Sequence, residues 1–275
     1  MDKELLRRVQ LAQFEIAKEV KRVCEKNKIA YFLDSGTLLG AVRHHGFIPW
    51  DDDMDLGMLR DQYEMFLKAA VRDLDKKFQL VEWKSSNGYP RPFCKIVKKN
   101  TIYLEEGAKE SEYERGIYID IFPYDVFPNK ADSIQKRQIN LYKAVIRNQC
   151  GIKTWVSNGK INKGKYLKNL PITLLSHLID RNSAISRYEK SAIKHNGENS
   201  EYYYPQGVSG YGRWIIPRKC LQNYEVLEFE GEMFSVPSDY DAFLKHAYGD
   251  YMKLPPEDQR ENRHKIIQVD FGEKQ

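Results

Sequence analysis

The stretch Trp50-Asp51-Asp52-Asp53-Met54-Asp55-Leu56 constrains this chain more than any other. Four carboxylates fall within five positions, yet the company is apolar: Phe47, Ile48, Trp50, Met54, Leu56 and Met58. Such flanks belong to a buried strand rather than to a solvated acidic turn. On an extended strand alternate side chains share a face, which would set Asp51, Asp53 and Asp55 side by side. Like charges so placed repel one another and weaken the strand unless a cation sits among them. Hard oxygen ligands of this kind suit magnesium or manganese, so the stretch reads as a metal site.

Two further features make that reading more specific. Ser35-Gly36-Thr37 stands upstream, Gly36 lying seventeen residues before Asp53. A small-residue turn running into a helix exposes backbone N–H groups that can cradle a phosphate. Downstream, Gly116-Ile117-Tyr118-Ile119-Asp120-Ile121-Phe122 holds a lone acid in an apolar strand pattern. A carboxylate buried there is costly unless paired or bound to metal, so Asp120 is the expected third acid of a two-metal-type clamp. Asp125, after the Phe-Pro-Tyr turn, reads either as a helper or as a turn residue.

The rest of the chain supplies a core. Residues 1–28 place Leu5, Val9, Ala12, Ile16, Val20 and Val23 at helical steps. Residues 29–34 read as a buried strand, 35–46 as a turn into a short helix, and 60–74 as a helix. From residue 78 the period moves towards two, giving strands at FQLVEW, FCKIVK, TIYL and GIYIDIF. Residues 131–150 read as helix, 151–170 as a long polar loop and 171–181 as a short apolar helix. Strands are expected within 207–237, and a Ser- or Asp-capped helix over 238–252. The tail from Leu254 is charged and carries two prolines.

With 41% hydrophobic and 12% aromatic residues among 275, the chain can bury a substantial core, which excludes general disorder. The 44 Lys and Arg against 39 Asp and Glu give only +5, too slight a balance to argue for nucleic acid as a partner. No apolar run is long enough for a transmembrane helix, and the N-terminal residues lack a signal-peptide core. A soluble cytoplasmic protein is expected. Cys24, Cys94, Cys150 and Cys220 stand far apart, with no CxxC pair, and read as separate thiols rather than a zinc cage or a disulfide framework.

YFLDSGTLLGAVRHHGFIPWDDDMDLGM resembles the signature of the LicD family, the phosphocholine-transferase-like proteins related to the fukutins. The likeness extends over about residues 29–66. GIYIDIFPYD (116–125) resembles the family's second block, and FEGEMFSVPSDYDAFLKHAYGDYMKLPP (229–256) its C-terminal block. The resemblance implies an α+β fold, a mixed sheet flanked by helices with a nucleotidyltransferase-like core, in one domain over 1–275. Residues 131–200 would be a helical, basic insertion. It implies magnesium (or manganese) on Asp51, Asp53, Asp55 and Asp120, with Asp53, Asp55 and Asp120 carrying the chemistry. It implies transfer of phosphocholine from CDP-choline to a sugar hydroxyl of a teichoic acid or lipopolysaccharide precursor, with CMP leaving. The fukutin-related branch transfers ribitol phosphate and can carry a zinc finger, for which this chain lacks the cysteines.

Within that reading Ser35, Gly36, Thr37, Arg43 and Lys95 are expected on the donor, Arg43 by forking onto a phosphate. Asp125 and His264 are further candidates, His264 by folding back from the tail, and His44 or His45 could serve as a base. Trp83, Tyr89, Tyr118, Tyr124, Tyr211 and Trp214 are the aromatics from which a choline cage could be built. The acceptor would be a glycan or lipid-linked oligosaccharide, and the basic region with the apolar PITLLSHLI suggests peripheral membrane contact. Rival readings are another CDP-alcohol donor, such as CDP-ribitol or CDP-glycerol, a true nucleotidyltransferase, and a non-catalytic basic module that binds RNA or lipid.

Overall fold

The apolar stripe of the first residues settles into one long helix, α1 (Lys3–Asn27). The Asp2 carboxylate accepts from Leu5 N at 2.8 Å to start it, and Lys28 ends it in the left-handed conformation. Val9, Ala12, Ile16, Val20 and Val23 are all buried. The computed structural model describes residues 1–86, 88–106, 115–130, 132–150, 156–157, 160–161, 163–207, 213–262 and 264–272.

A mixed sheet receives α1. Its strands run in the order β1 (Phe32–Leu33), β2 (Asp55–Leu59), β6 (Tyr118–Phe127), β4 (Cys94–Lys98) and β3 (Phe78–Val81). The β2–β6 pair is parallel and the others are antiparallel. β6 is ten residues long, and its far half pairs with β9 (Tyr202–Pro205), which pairs in turn with β10 (Ile216–Pro217). α1 touches α3 (Arg60–Asp73), and these two helices pack on β2, β4 and β6. At Gly57 a side chain would collide with the Phe32 ring, its register partner on β1, so glycine is what lets that ring lie flat on the strand.

The remaining elements border this sheet. α2 (Ser35–His44) follows β1 and touches β2, the hairpin strand β11 (Tyr224–Phe229) and α7 (Tyr240–Tyr248). β11 pairs with β12 (Glu232–Pro237). Asp239 stands at the start of α7, but its side chain makes no capping bond. The tail supplies an unforeseen strand, β13 (Ile266–Asp270), which pairs with β5 (Ile102–Glu105). The strand expected over 29–34 shrinks to two residues, and Asp34, whose N–H donates to Asp55 O at 3.0 Å, caps α2 with its side chain.

Between β6 and β9 lie α4 (Ser133–Gln149), α5 (Lys163–Leu178) and α6 (Arg181–Ala192), with α4 touching both others. A short ladder joins β7 (Val156–Ser157) to β8 (Lys160–Ile161). The loop expected over 151–170 therefore gives way partway to helix. From Lys163 the helix runs through Pro171 into the apolar segment, fastened by side chains of α4. The fold is α+β, a mixed sheet flanked by seven α-helices among the described residues. The four cysteines are free thiols, three of them buried.

Candidate active site

The parallel β2–β6 pair builds the centre. Its register sets Asp55 opposite Asp120, and the antiparallel β6–β4 pair sets Lys95 against the other side of Asp120. Residues in register on neighbouring strands share a face, so the acid on β6 is flanked by an acid and a base. Lys95 is only 1% exposed. Its Nζ lies 2.9 Å from Asp120 Oδ1 and 3.0 Å from the centroid of the Tyr118 ring. The Lys95 contact is an ion pair without hydrogen-bond alignment, and Asp120 Oδ1 accepts no hydrogen bond.

Strand β2 begins only at Asp55; Asp51 to Met54 lead into it as irregular chain. Alternation along a strand therefore cannot be what groups the acids. Long-range bonds to the loop's own carbonyls hold it instead. Gln10 Nε2 donates to Asp51 O at 2.9 Å, Gln13 Nε2 to Asp52 O at 3.0 Å, and the Tyr103 hydroxyl to Asp52 O at 2.8 Å. So held, carboxylate oxygens of Asp51, Asp52 and Asp53 lie within 4.8 Å of one another.

Asp52, absent from the expected ligand set, is fully buried and binds the tail. Its Oδ1 lies 2.9 Å from His264 Nδ1, and its Oδ2 accepts from His264 N at 3.2 Å. His264 Nε2 then stands 4.0 Å from Asp53 Oδ2. The hydrogen bond to Asp52 raises the His264 pKa to about 9, against burial and with help from Asp53. His264 is thus a cation at neutral pH.

The electrostatics show how crowded the acids are. Asp55 is held well above the ordinary carboxylate range by burial, then by Asp53, Asp120, Asp34 and Asp51. Burial raises Asp120 as well, with Lys95 and Arg91 opposing and Asp53 adding to it. Asp34, buried at the start of α2, is pushed up to about 6 by burial, although Tyr124 Oη donates to it at 2.8 Å and Ser35 N at 2.7 Å. Carboxylates that are crowded together and resist ionisation fit a divalent cation with hard oxygen ligands.

The other expected residues divide. At Gly36 a Cβ would lie 2.8 Å from Asp51 Oδ2, so the glycine exists to admit that carboxylate. Ser35, beside it, has φ 48°. Thr37 Oγ1 accepts from Asp55 N at 2.8 Å and fixes the start of β2. Arg43 donates to Tyr251 O at 2.7 Å, tying α2 to the segment after α7. Asp125 is not brought to the cluster. It lies an odd number of residues beyond Asp120 on β6, hence on the opposite face, and Arg60 holds it through bonds of 2.8 and 2.6 Å with Asn196 as third partner. Of the aromatics, Tyr118 lies under Lys95, Tyr124 binds Asp34, Tyr89 is fully buried, Trp83 packs edge-on to Tyr188 and Trp214 edge-on to Tyr248. Tyr211 lies outside the described residues.

Sequence reasoning also missed a group of cations. Arg91 acts on Asp120, Glu105 and Lys143 alike. Lys143 and Arg147, one turn apart on α4, are half-buried, and Lys143 Nζ donates to Gly207 O at 3.2 Å. Burial, Arg147 and Arg91 lower the Lys143 pKa.

Comparison with known proteins places the family. Residues 28–149, which span α2, β2, β4 and β6, match the family model described as LicD/FKTN/FKRP, nucleotidyltransferase domain. Along 272 residues the chain is 31% identical to the lipopolysaccharide cholinephosphotransferase LicD of Haemophilus influenzae, covering 96% of this chain and 97% of that protein. The chain belongs to the LicD family. A shorter likeness, 50% identity over 44 residues, links this LicD-family chain to the human ribitol 5-phosphate transferase FKRP, covering 16% of this chain and 9% of that protein.

Proposed function

We propose that this LicD-family transferase moves phosphocholine from CDP-choline to a sugar hydroxyl of a lipopolysaccharide- or teichoic-acid-type glycan, with CMP as the leaving group. The observation that carries the reading is the set Asp53, Asp55 and Asp120 beside Lys95, in a chain alike over 96% of its length to a protein named as a cholinephosphotransferase. Asp53, Asp55 and Asp120, with Asp51 beside them, would hold magnesium or manganese, whose charge would offset that of the transferring phosphoryl group.

The chain's own groups do the rest. The sugar hydroxyl oxygen forms a bond to the choline-bearing phosphorus, the phosphorus–oxygen bond to CMP breaks, and CMP departs with the electron pair. Asp120 receives the hydroxyl proton, since burial raises its basicity and its strand register sets it between Asp55 and Lys95. Lys95 keeps that carboxylate ionised until then. Arg91 and Lys95, the cations that act on Asp120, would meet the donor phosphates together with the Ser35-Gly36-Thr37 turn.

The test uses the full chain, magnesium, a glycan acceptor and CDP-choline labelled in the choline. Label on the glycan together with free CMP supports the reading. Cytidine phosphate on the glycan with free phosphocholine overturns it in favour of nucleotidyl transfer. Turnover with CDP-ribitol or CDP-glycerol alone keeps the chemistry and replaces the donor.

A further inference from the structure

Helix α5 is apolar on two sides. Its inner stripe, Ile172, Leu175 and Ile179 with the adjoining turn, packs against the core. Side chains of α4 fasten that side: Gln149 Nε2 donates to Ser176 O at 3.1 Å and to Ile179 O at 2.6 Å, and Ser176 Oγ donates to Asn148 Oδ1 at 2.9 Å. The outer stripe is Leu167, Leu174 and Leu178, which are 66%, 59% and 82% exposed. Steps of seven and four put them in one line along the helix, with exposed Pro171 filling the gap between the first two. An outward face of a helix docked on a core is normally polar, and scattered apolar residues need no explanation, whereas an aligned row does.

Charge says what covers that row. Lys163, Lys165 and Lys168 are exposed in the first turns of the same helix. Residues 131–200 contain 13 Lys and Arg against 4 Asp and Glu, a net +9 in a chain whose total is +5. The remainder of the chain is therefore acidic, and the positive charge is concentrated in the segment that holds α4, α5 and α6. A short helix with leucines on its outer face and lysines beside them has the composition of one that lies in the headgroup region of an anionic bilayer. A water-soluble protein partner would need a matching apolar groove and an acidic rim, whereas a lipid surface supplies both at once. At sixteen residues, interrupted by proline and lysine-rich at one end, α5 lies along a membrane rather than across it, and no helix among the described residues is long and apolar enough to cross one.

We infer that the outer face of α5, with the basic surface around it, docks this protein on anionic lipid membranes. The inference is independent of the donor and of the carboxylate cluster. It is tested by flotation of the full chain with phosphatidylcholine vesicles that contain or lack phosphatidylglycerol. Binding is expected only with the anionic lipid, at low salt, and should fade as salt rises. Leu174→Glu/Leu178→Glu should lower partitioning about a hundredfold. Lys163→Glu/Lys168→Glu should lower it at least about tenfold with the leucines in place. Melting curves establish that the variants are folded, and Leu178→Gln, at the most exposed position, provides a milder change expected to reduce binding in the same direction. No flotation at low salt, or flotation unchanged in the folded leucine variants, overturns the inference. So does concentration-dependent self-association, without lipid, that the leucine variants abolish while flotation persists, since a second copy would then be what covers the row.

Discussion

Asp55→Asn should make the cation-free protein more stable, although it removes a residue from the centre of the site. The largest influences on the Asp55 carboxylate, burial and the charges of Asp53, Asp120, Asp34 and Asp51, all raise its pKa. Its register partner Asp120 sits on the neighbouring strand, about 4.8 Å away by sheet geometry, where two like charges repel by about 3 kcal/mol at an effective dielectric of about 20. Burial and the other acids add to that, but protonation caps the total. A carboxyl that ionises near pH 3.9 when unfolded can lose at most about 4 kcal/mol by pH 7 before it takes up a proton instead. Because the folded pKa is raised, this stability is present below about pH 4 and is lost as the pH climbs towards the folded value. In EDTA at pH 7 the variant should therefore melt roughly 6–12 °C above the parent chain, and the gap should close towards pH 4. Magnesium should close most of that gap. At a hundredfold excess over Kd the parent gains about 2.7 kcal/mol, and the variant gains little. The assay is thermal unfolding across pH with EDTA or magnesium. A variant that melts lower than the parent in EDTA at pH 7, or equal magnesium shifts for both, would refute the reasoning.

Further outcomes follow from the same geometry. Asp120→Asn should cut transfer about a thousandfold or more. Asp125→Asn should instead strand the buried Arg60 and lower stability by about 3–5 kcal/mol, with turnover per folded molecule kept; comparing kcat with the unfolding midpoint separates the two. His264, raised to about 9 from an ordinary 6.5, contributes stability that is complete below pH 6.5 and fades between 6.5 and 9. In EDTA His264→Gln should remove about 2 kcal/mol of that pH-dependent difference, after discount for partial exposure, as read from melts at pH 6 and 9.5. Gly36→Ala should displace the Asp51 carboxylate and lower transfer at least about tenfold while moving the melting temperature by only a few degrees, measured on one preparation.

How far the sequence could be read depended on the reach of the contacts involved. α1, α2, α3 and β4 follow from local periodicity, and Asp120 could be singled out because a lone acid in an apolar strand has few structural uses. Lys95 was foreseen beside the site for the same reason. Asp52 was not, because in a run of aspartates the central one looks like its neighbours; only its partner, 212 residues away, distinguishes it. Gln10 and Gln13 left a clue, two polar residues within the buried face of α1, but nothing local says that they reach the carbonyls of the acidic loop. Thr37 and Gly36 read as a turn that could hold phosphate, but nothing local says that they also pack on Asp55 and Asp51. The first half of α5 hid behind Gly164, its lysines and the internal proline, while its second half falls in the helix read over 171–181; bonds from α4 fasten it.

The bonds from Asp52 to His264 also set an order of assembly. Contacts between residues this far apart carry a large loop-closure entropy, and a chain made from its N-terminus has its sheet residues in hand long before residue 264 emerges from the ribosome. Until then the acidic loop has its α1 and Tyr103 anchors but lacks the imidazolium that offsets two of its charges. Maturation of the centre thus waits for the segment that carries His264, and a nascent or proteolysed chain that stops after Asn262 should be folded through its sheet yet inert, a built-in check against catalysis by molecules that lack it.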